Sequence, residues 1–327
     1  MSILPETMDA LWLEQGRLRL RRDVPVPRPA SDQGLVRVHL AGICATDRHL
    51  MRGYYPYTGI PGHEFVGTVA AAPGAPRLIG RRVVGVINIS CGQCPLCRSG
   101  RPEHCSERSV LGIQNWPGAM ASYLCLPLQN LVMVPDAVPD KAAAFAEPLA
   151  AALQIQRQVR IEPSHNVLVL GAGTLGQLIA RTLSRDVKRL GVVARYAPQR
   201  HRLESIGIEW LTEEEVAPDR YDVVIEASGS AQGFALAQYA LKPGGTMVLK
   251  STFKGQVPIT LSELVVDEIS VIGSRCGPMD QAVDALAARR IDPLPLVDAQ
   301  FPLEEGLAAF TAAARPGQLK VLLKMQH

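Results

Sequence analysis

The sequence predicts an α/β protein in two parts, an antiparallel β domain with long loops followed by a doubly wound parallel sheet. Three observations predict it. Apolar and polar residues alternate at period two through the first third of the chain. From about residue 150, short apolar strands alternate with helical stretches over roughly 125 residues. A glycine-rich turn stands between the first of those strands and the helix after it. The length of 327 residues suits two domains, since a single hydrophobic core usually serves ~100–200 residues.

In the first part, ALWLEQG, RLRLRR and GLVRVHLAG alternate cleanly, and further strands are predicted at Phe65–Ala71, Arg82–Ile89 and Ala121–Pro127. Arg17, Arg19 and Arg21 fall on the polar face of one such strand, which reads as a solvated edge. In the second part the predicted order is strand Asn166–Leu170, a helix through Leu183, strand Leu190–Ala194, helix Gln199–Ile206 and strand Asp222–Ala227. Helix Gln232–Leu241 and strands Thr246–Lys250 and Ile269–Gly273 complete it. A tail from about Pro278 holds a helix at Gln281–Arg289 and a last strand at Leu319–Lys324.

Composition narrows the function. Thirty-four Lys and Arg against 31 Asp and Glu leave a net charge of +3, too little to predict nucleic acid or an anionic membrane as partner. No apolar run approaches ~18 residues, and the start, MSILPETMDALWLEQGR, has no basic stretch leading an apolar core. The expectation is a cytoplasmic protein. Seven cysteines in that setting point to metal or catalysis rather than to disulfides.

Four of those cysteines, Cys91, Cys94, Cys97 and Cys105, form Cys-x2-Cys-x2-Cys-x7-Cys. Thiolates are soft donors, and four of them close a tetrahedral zinc site that ties down a loop and does no chemistry. An iron–sulfur run begins with the same spacing, but its last gap is x3 and a Pro follows it. Here the gap is x7 and Ser106 follows, which favours zinc.

A second, open metal site is predicted from Cys44 in AGICATDRHL and His63 in IPGHEF. Glu147 offers a third ligand, because it interrupts the apolar stretch KAAAFAEPLAAAL and a buried carboxylate needs a partner. The alternative is an acid at a helix start, favoured by the helix dipole and followed by Pro148. Three protein ligands plus water make a catalytic zinc. Thr46 and His49 stand close enough along the chain to pass a proton outward from such a site.

NVLVLGAGTLG places Gly171, Gly173 and Gly176 as G-x-G-x-x-G after a strand and at the opening of a helix, the context that marks a dinucleotide site. The acid that normally binds the ribose hydroxyls about 20 residues on is missing. Ala194 and Arg195 stand at that place, and Arg200 follows. An Arg there is a planar partner for a 2′-phosphate, so NADP is expected over NAD, with an exposed Arg beside an unselective site as the alternative.

Taken in order, GICATD, PGHE, CGQCPLCRSGRPEHC, FAEPLAAAL, GAGTLG and PGQLKVLLK resemble the zinc-dependent medium-chain dehydrogenases/reductases of the alcohol dehydrogenase family. The pattern is most similar to the sorbitol and glucose dehydrogenase branches. The resemblance implies a GroES-like catalytic domain over 1–150 with a zinc lobe at 91–105, a Rossmann domain over 151–277, and a return to the catalytic domain over 278–327. It implies two zinc ions per chain and an active site in the cleft between the domains.

By the same resemblance, Cys44 and His63 match catalytic zinc ligands, with Glu147 where many members have Cys. Thr46 and His49 match a proton relay, and Glu64 matches the acid behind the metal. Arg275 and Lys320 fall where members place cofactor-facing cations, with surface or interdomain pairing as the alternative. Tyr54, Tyr55, Tyr57 and Trp116 come from loops expected near the cleft and are left unassigned. The predicted reaction interconverts a secondary alcohol, polyol or sugar with its carbonyl by hydride transfer. The alternatives are reduction of a conjugated double bond and a catalytically silent NADPH-binding zinc protein. The resemblance also implies a homodimer or homotetramer.

Overall fold

The structure is a computed structural model that describes residues 4–252 and 255–326. The chain forms two units. The first comprises residues up to Glu147, Met279–Ala314 and the stretch from Lys320 onward; the second comprises Pro148–Pro278 and Arg315–Leu319.

The first unit is built on a seven-stranded sheet in the order Leu131–Met133, Arg82–Gly85, Glu64–Ala71, Gln33–Gly42, Lys320–Lys324, Val297–Pro302, with Tyr123–Pro127 also pairing with Gln33–Gly42. The pairs are antiparallel except the last two strands in that order, which run parallel. Alternation in the central strand buries Leu35, Val36, Val38 and Ala41. The hairpin Thr7–Glu14/Arg17–Pro25 turns on Gln15 and Gly16, both at positive φ (49° and 74°), the conformation whose twist matches paired antiparallel strands.

One predicted element divides. Arg82–Ile89 reads as a single strand, yet Arg82–Gly85 belongs to the large sheet and Asn88–Ile89 pairs with Ser109–Leu111 in a separate three-stranded sheet. The break follows Gly85, where an added Cβ would come within 2.9 Å of Leu126 and Phe65. Two layers of apolar side chains close over that glycine, and the chain leaves the sheet there.

The second unit carries a six-stranded sheet, every pair parallel, in the order Glu209–Leu211, Arg189–Val193, Asn166–Leu170, Tyr221–Glu226, Leu241–Leu249, Ser270–Gly273. This is the strand order of a Rossmann sheet, with its switch point at the end of the first strand. Val167 to Leu170 form one continuous apolar run and are all buried, as strands covered on both faces require. The helix Leu261–Val266 was not expected from periodicity. Its residues Leu261, Val265 and Val266 are exposed, so it carries no core-facing stripe to read. Among the described residues, no helix is long and apolar enough to cross a membrane.

Three strands and a helix of the first unit are tied by a polar clamp. His39 Nδ1 meets Asp140 Oδ2 at 2.7 Å, and its Nε2 meets the Thr68 hydroxyl at 2.9 Å. Arg82 donates to Asp140 Oδ1 at 2.6 Å and to the carbonyls of Pro135 and Val138. The hydrogen bond from His39, with the charges of His39 and Arg82, holds the Asp140 carboxyl below the usual range against the effect of burial. A depressed carboxyl stabilises the fold above its unfolded pKa, and that stability is lost as pH falls through the folded value. Asp140→Asn is therefore expected to cost about 1–2 kcal/mol near neutral pH. Urea unfolding should show the gap between wild type and variant closing as the pH falls from the ordinary carboxyl range through the lowered Asp140 value.

Candidate metal centres and dinucleotide site

The four-cysteine loop folds around its own sulfurs. Cys94 caps the short helix Pro95–Arg98, with Pro95 opening it, and Cys105 follows the turn Pro102–His104. The Sγ atoms lie 3.5 Å apart for Cys94–Cys97 and Cys91–Cys105, and 3.8 Å apart for Cys94–Cys105. Sulfurs bonded to one zinc at ~2.3 Å stand about 3.8 Å apart along a tetrahedron edge. A disulfide would bring them to about 2.0 Å, and all four are free. Backbone N–H groups of Cys91 and Cys94 point at Cys105 and Cys91 sulfurs, and the N–H of Cys97 draws the Cys94 thiol down to about 6. The donor set fits a closed zinc site.

The second group is Cys44, His63 and Glu64, whose ligand atoms all lie within 4.8 Å of one another. Strand pairing brings them together. Gly42 faces Glu64 across the central strands, and Leu322 faces Gly42 from the other side. Only glycine fits at 42, because an added Cβ would lie 2.2 Å from Glu64 Oε2.

Cys44 caps the helix Ala45–Met51, and its backbone N–H donates to Asp47 Oδ2 at 2.8 Å. The other oxygen of Asp47 stands 3.4 Å from His63 Nδ1, longer than a formed hydrogen bond, and neither atom has another protein partner. His63, Asp47 and Glu64 are each at most 4% exposed. Burial disfavours the charged imidazole, yet Asp47 and Cys44 outweigh it and raise the His63 pKa well above the ordinary value. Such surroundings call for positive charge, and a metal on Cys44 and on the other ring nitrogen of His63 would supply it. Asp47 would then fix the ring through Nδ1. The residues present fit that ion.

Glu147 lies in the first turn of helix Ala146–Gln158, just ahead of Pro148 and partly buried; it is outside the group of three. The Thr46 hydroxyl is 3.7 Å from Cys44 Sγ. His49 is partly buried and packs against Tyr54; burial, then Arg48 and Arg52, lowers its pKa.

Lys320 differs from the expectation of a cofactor-facing cation. It is 2% exposed, and its Nζ is bound to Glu64 Oε2 over the ring of Phe145. The reason lies in register: Ile43 donates to the Val321 carbonyl, which sets Lys320 beside the Cys44–Glu64 pair. Burial would discharge the ammonium, but Glu64 and Cys44 keep its pKa raised. Lys320 thus neutralises the acid behind the candidate metal.

The aromatic loops separate. Tyr57 and Trp116 line an apolar cavity of about 490 Å³ with Trp12 and Tyr123, the Tyr57 hydroxyl donating to the Ile60 carbonyl at 2.5 Å. Tyr54 and Tyr55 pack on each other at 4.6 Å.

In the second unit the glycine turn has the shape of a pyrophosphate cradle. Gly171 adopts φ +100°, and an added Cβ there would lie 2.9 Å from Ser228 Cα. A Cβ on Gly176 would strike the Gly171 carbonyl at 1.9 Å, whereas at Gly173, which caps helix Thr174–Leu183, it would meet nothing within 4 Å. These are the three glycine roles of tight turn, open approach and close packing.

Beyond strand Arg189–Val193, Arg195 is exposed and forms an ion pair with Glu213 at 2.7 Å. Arg200 stacks 4.4 Å above Trp210 and donates to the carbonyls of Ala194 and Arg195. Arg275 is exposed just past strand Ser270–Gly273, its carbonyl accepting from buried Lys250.

Three acids escaped the sequence reading. Asp47 was visible as the partner of a helix cap three residues on. Glu226 ends an apolar strand and is 3% exposed; the reasoning that singled out Glu147 applies to it equally. Its carboxylate accepts from Ser228 N and Oγ at 2.7 and 2.5 Å, from Gly229 N at 3.1 Å, and from the Ser251 hydroxyl. It thereby fixes the turn that packs against Gly171. Glu213 gave no local signal, since only strand pairing brings it to Arg195.

A closed four-cysteine loop, an open Cys–His–carboxylate cluster and a Rossmann sheet with a phosphate cradle together define a zinc-dependent dehydrogenase. Residues 30–136 match the alcohol dehydrogenase GroES-like domain, and residues 185–289 match the zinc-binding dehydrogenase family. The chain is 29% identical over 287 residues to the L-galactonate-5-dehydrogenase of Escherichia coli K12, covering 82% of this chain and 83% of that one. A zinc-binding dehydrogenase chain from Sinorhizobium meliloti 1021, solved with NADP bound, superposes with TM-score 0.91 at 31% identity, over 98% of this chain and all of that one. An alcohol dehydrogenase (rspB) from E. coli CFT073, solved with NADH, gives TM-score 0.89 at 25% identity, over 98% and 100%. The chain belongs to the zinc-dependent medium-chain dehydrogenase/reductase family, and its chemistry is oxidoreduction between alcohol and carbonyl.

Asp47→Asn tests the support of His63. Loss of a carboxylate behind a ligating His is expected to weaken metal binding about 10–100-fold. Zinc counted after dialysis against a chelator should fall at the Cys44–His63 site and persist at the four cysteines; equal loss at both would show that Asp47 supports the fold instead.

Proposed function

We propose that this chain is a nicotinamide-linked dehydrogenase of a secondary alcohol, polyol or sugar, or the corresponding carbonyl reductase, with two zinc ions and a preference for NADP over NAD. The observation that carries the reading is the convergence of Cys44, His63 and Glu64, whose ligand atoms lie within 4.8 Å of one another beside buried Asp47. Cys44, His63 and Glu147 would hold the catalytic ion, with Glu64 behind it. Cys91, Cys94, Cys97 and Cys105 would hold the structural one. When bound, zinc supplies a Lewis acid that lowers the pKa of a hydroxyl, and the dinucleotide supplies the hydride acceptor.

The chain's own residues do the rest. The Thr46 hydroxyl, beside Cys44 Sγ, is placed to take the substrate's proton and hand it on. His49, held neutral near pH 7 by its lowered pKa, is able to receive it. Lys320 holds Glu64 in place. The cradle at Gly171, Gly173 and Gly176 binds the pyrophosphate, and Arg195 meets a 2′-phosphate, with Arg200 bracing the turn that presents it and Arg275 as a further cation for the cofactor.

Free thiols suited to metal binding fit a reducing compartment, the cytoplasm. A homodimer, or a tetramer of such dimers, is supported by the unpaired edge of strand Ser270–Gly273. Exposed Val271, Leu261, Val265 and Val266 form an apolar surface beside that edge.

Protein purified without added metal should carry two zinc ions per chain, and Cys44→Ser should keep one. The same variant should lose at least about 100-fold in turnover while binding NADPH as wild type does; retained turnover would sink the zinc mechanism. For assembly, Val265→Asp with Val266→Asp should shift the sedimentation profile to monomer while leaving the bound zinc unchanged. An unaltered profile would place the interface elsewhere.

A further inference from the structure

The cation offered to the adenosine end of the dinucleotide is already engaged. Strand Arg189–Val193 ends without an acid, but the neighbouring strand supplies one. Gly191, Val192 and Val193 pair with Glu209, Trp210 and Leu211 in parallel register, and Ala194 N–H donates to the Leu211 carbonyl at 3.0 Å. That register carries Glu213 alongside Arg195, where Oε1 accepts from Nη2 at 2.7 Å.

The other acids of this loop are engaged by Thr212. Glu215 accepts from Thr212 N–H at 2.7 Å, and Glu214 is bound to the Thr212 side chain. Arg200 is pinned over Trp210 and braces the backbone of Arg195. Arg195 is thus the exposed cation of the turn, with Glu213 as its ion-pair partner and the Tyr196 side chain as a further contact.

We propose that Glu213 is a specificity-determining residue, setting how far this chain favours a 2′-phosphorylated over an unphosphorylated nicotinamide dinucleotide. The proposal rests on the reading of Arg195 as partner of the 2′-phosphate. The pair is exposed, 66% and 45% at the two side chains, so a ligand can break it at small cost. A 2′-phosphate must take Arg195 from Glu213 and then sit beside the freed carboxylate. A ribose 2′-hydroxyl donates to a carboxylate and needs no cation. One side chain therefore opposes NADP twice, by competition and by repulsion, and serves NAD. The acid that the second strand of a NAD site normally provides has been moved one strand over.

The test is direct binding of NADPH and NADH, followed by the fluorescence of the reduced nicotinamide, to the zinc-loaded enzyme and to Glu213→Gln, Arg195→Ala and the double variant. In Glu213→Gln the ratio of the NADH Kd to the NADPH Kd should rise about three- to tenfold, the loss of one exposed pair and one like charge. In the Arg195→Ala background the same substitution should raise that ratio by less than it does in the wild type, since the competition for the cation is gone and only the repulsion between the carboxylate and the 2′-phosphate remains.

An unchanged ratio in Glu213→Gln, with NADPH weakened by Arg195→Ala, overturns the proposal and leaves the Arg195 reading standing. NADPH binding indifferent to Arg195→Ala overturns both. A wild-type enzyme that binds neither nucleotide overturns the dinucleotide site itself.

Discussion

The first unit is organised by a charge imbalance that it cannot leave unresolved. Asp47, Glu64 and the Cys44 thiol converge in its interior against one lysine, Lys320. Burying an uncompensated carboxylate costs several kcal/mol, so each acid must be answered locally. Lys320 answers Glu64, brought to it by the register of the last strand against the central one. Gly42 leaves space for the Glu64 side chain, since a Cβ there would lie 2.2 Å from Glu64 Oε2. Asp47 answers in two directions. One oxygen takes the first N–H of the helix Ala45–Met51, and the other faces His63. What remains is a thiol and an imidazole with anionic surroundings, the electrostatic description of a cation site.

The second unit resolves a comparable problem without a counter-charge. Glu226 is buried at the end of a central strand and is answered by two backbone N–H groups and two hydroxyls. A hydrogen bond contributes about 0.5–1.5 kcal/mol, and the four together hold the turn Ser228–Ser230 in one shape. Gly171 lies against that turn with no room for a side chain. The phosphate cradle is therefore shaped by two strand ends: glycines allow the approach, and a buried acid fixes the wall.

Much of this was legible in the sequence because it is written in local spacing. The four cysteines lie within one loop, the three glycines within one turn, and the strand–helix alternation needs only a window of a dozen residues. The parts that were not legible depend on register between distant segments. Lys320 reads as a cation on a strand of alternating character, and nothing near it says that it will meet Glu64, 256 positions earlier. Glu213 stands eighteen residues beyond Arg195 in an acidic run that a sequence reads as solvated surface. The strand at Arg82 divides because two distant apolar side chains close over Gly85, a fact of packing rather than of pattern. Helix Leu261–Val266 was missed because its apolar residues face outward, where periodicity carries no message about the core.

Charge accounting also separates the two kinds of selectivity the chain must exercise. At Cys44 and His63 the acids and the ligand atoms lie together in the interior, and the donor set fits a cation. At the adenosine end the charges are exposed, and an exposed ion pair contributes at most about 1 kcal/mol. A tenfold change in affinity is 1.4 kcal/mol, so on the proposed reading a choice of nucleotide made by Arg195 and Glu213 would be graded and adjustable by one side chain. Burial thus fixes the chemistry, and exposure leaves the choice of cofactor open to small changes. Structures of this fold are found with NADP in one case and NADH in another.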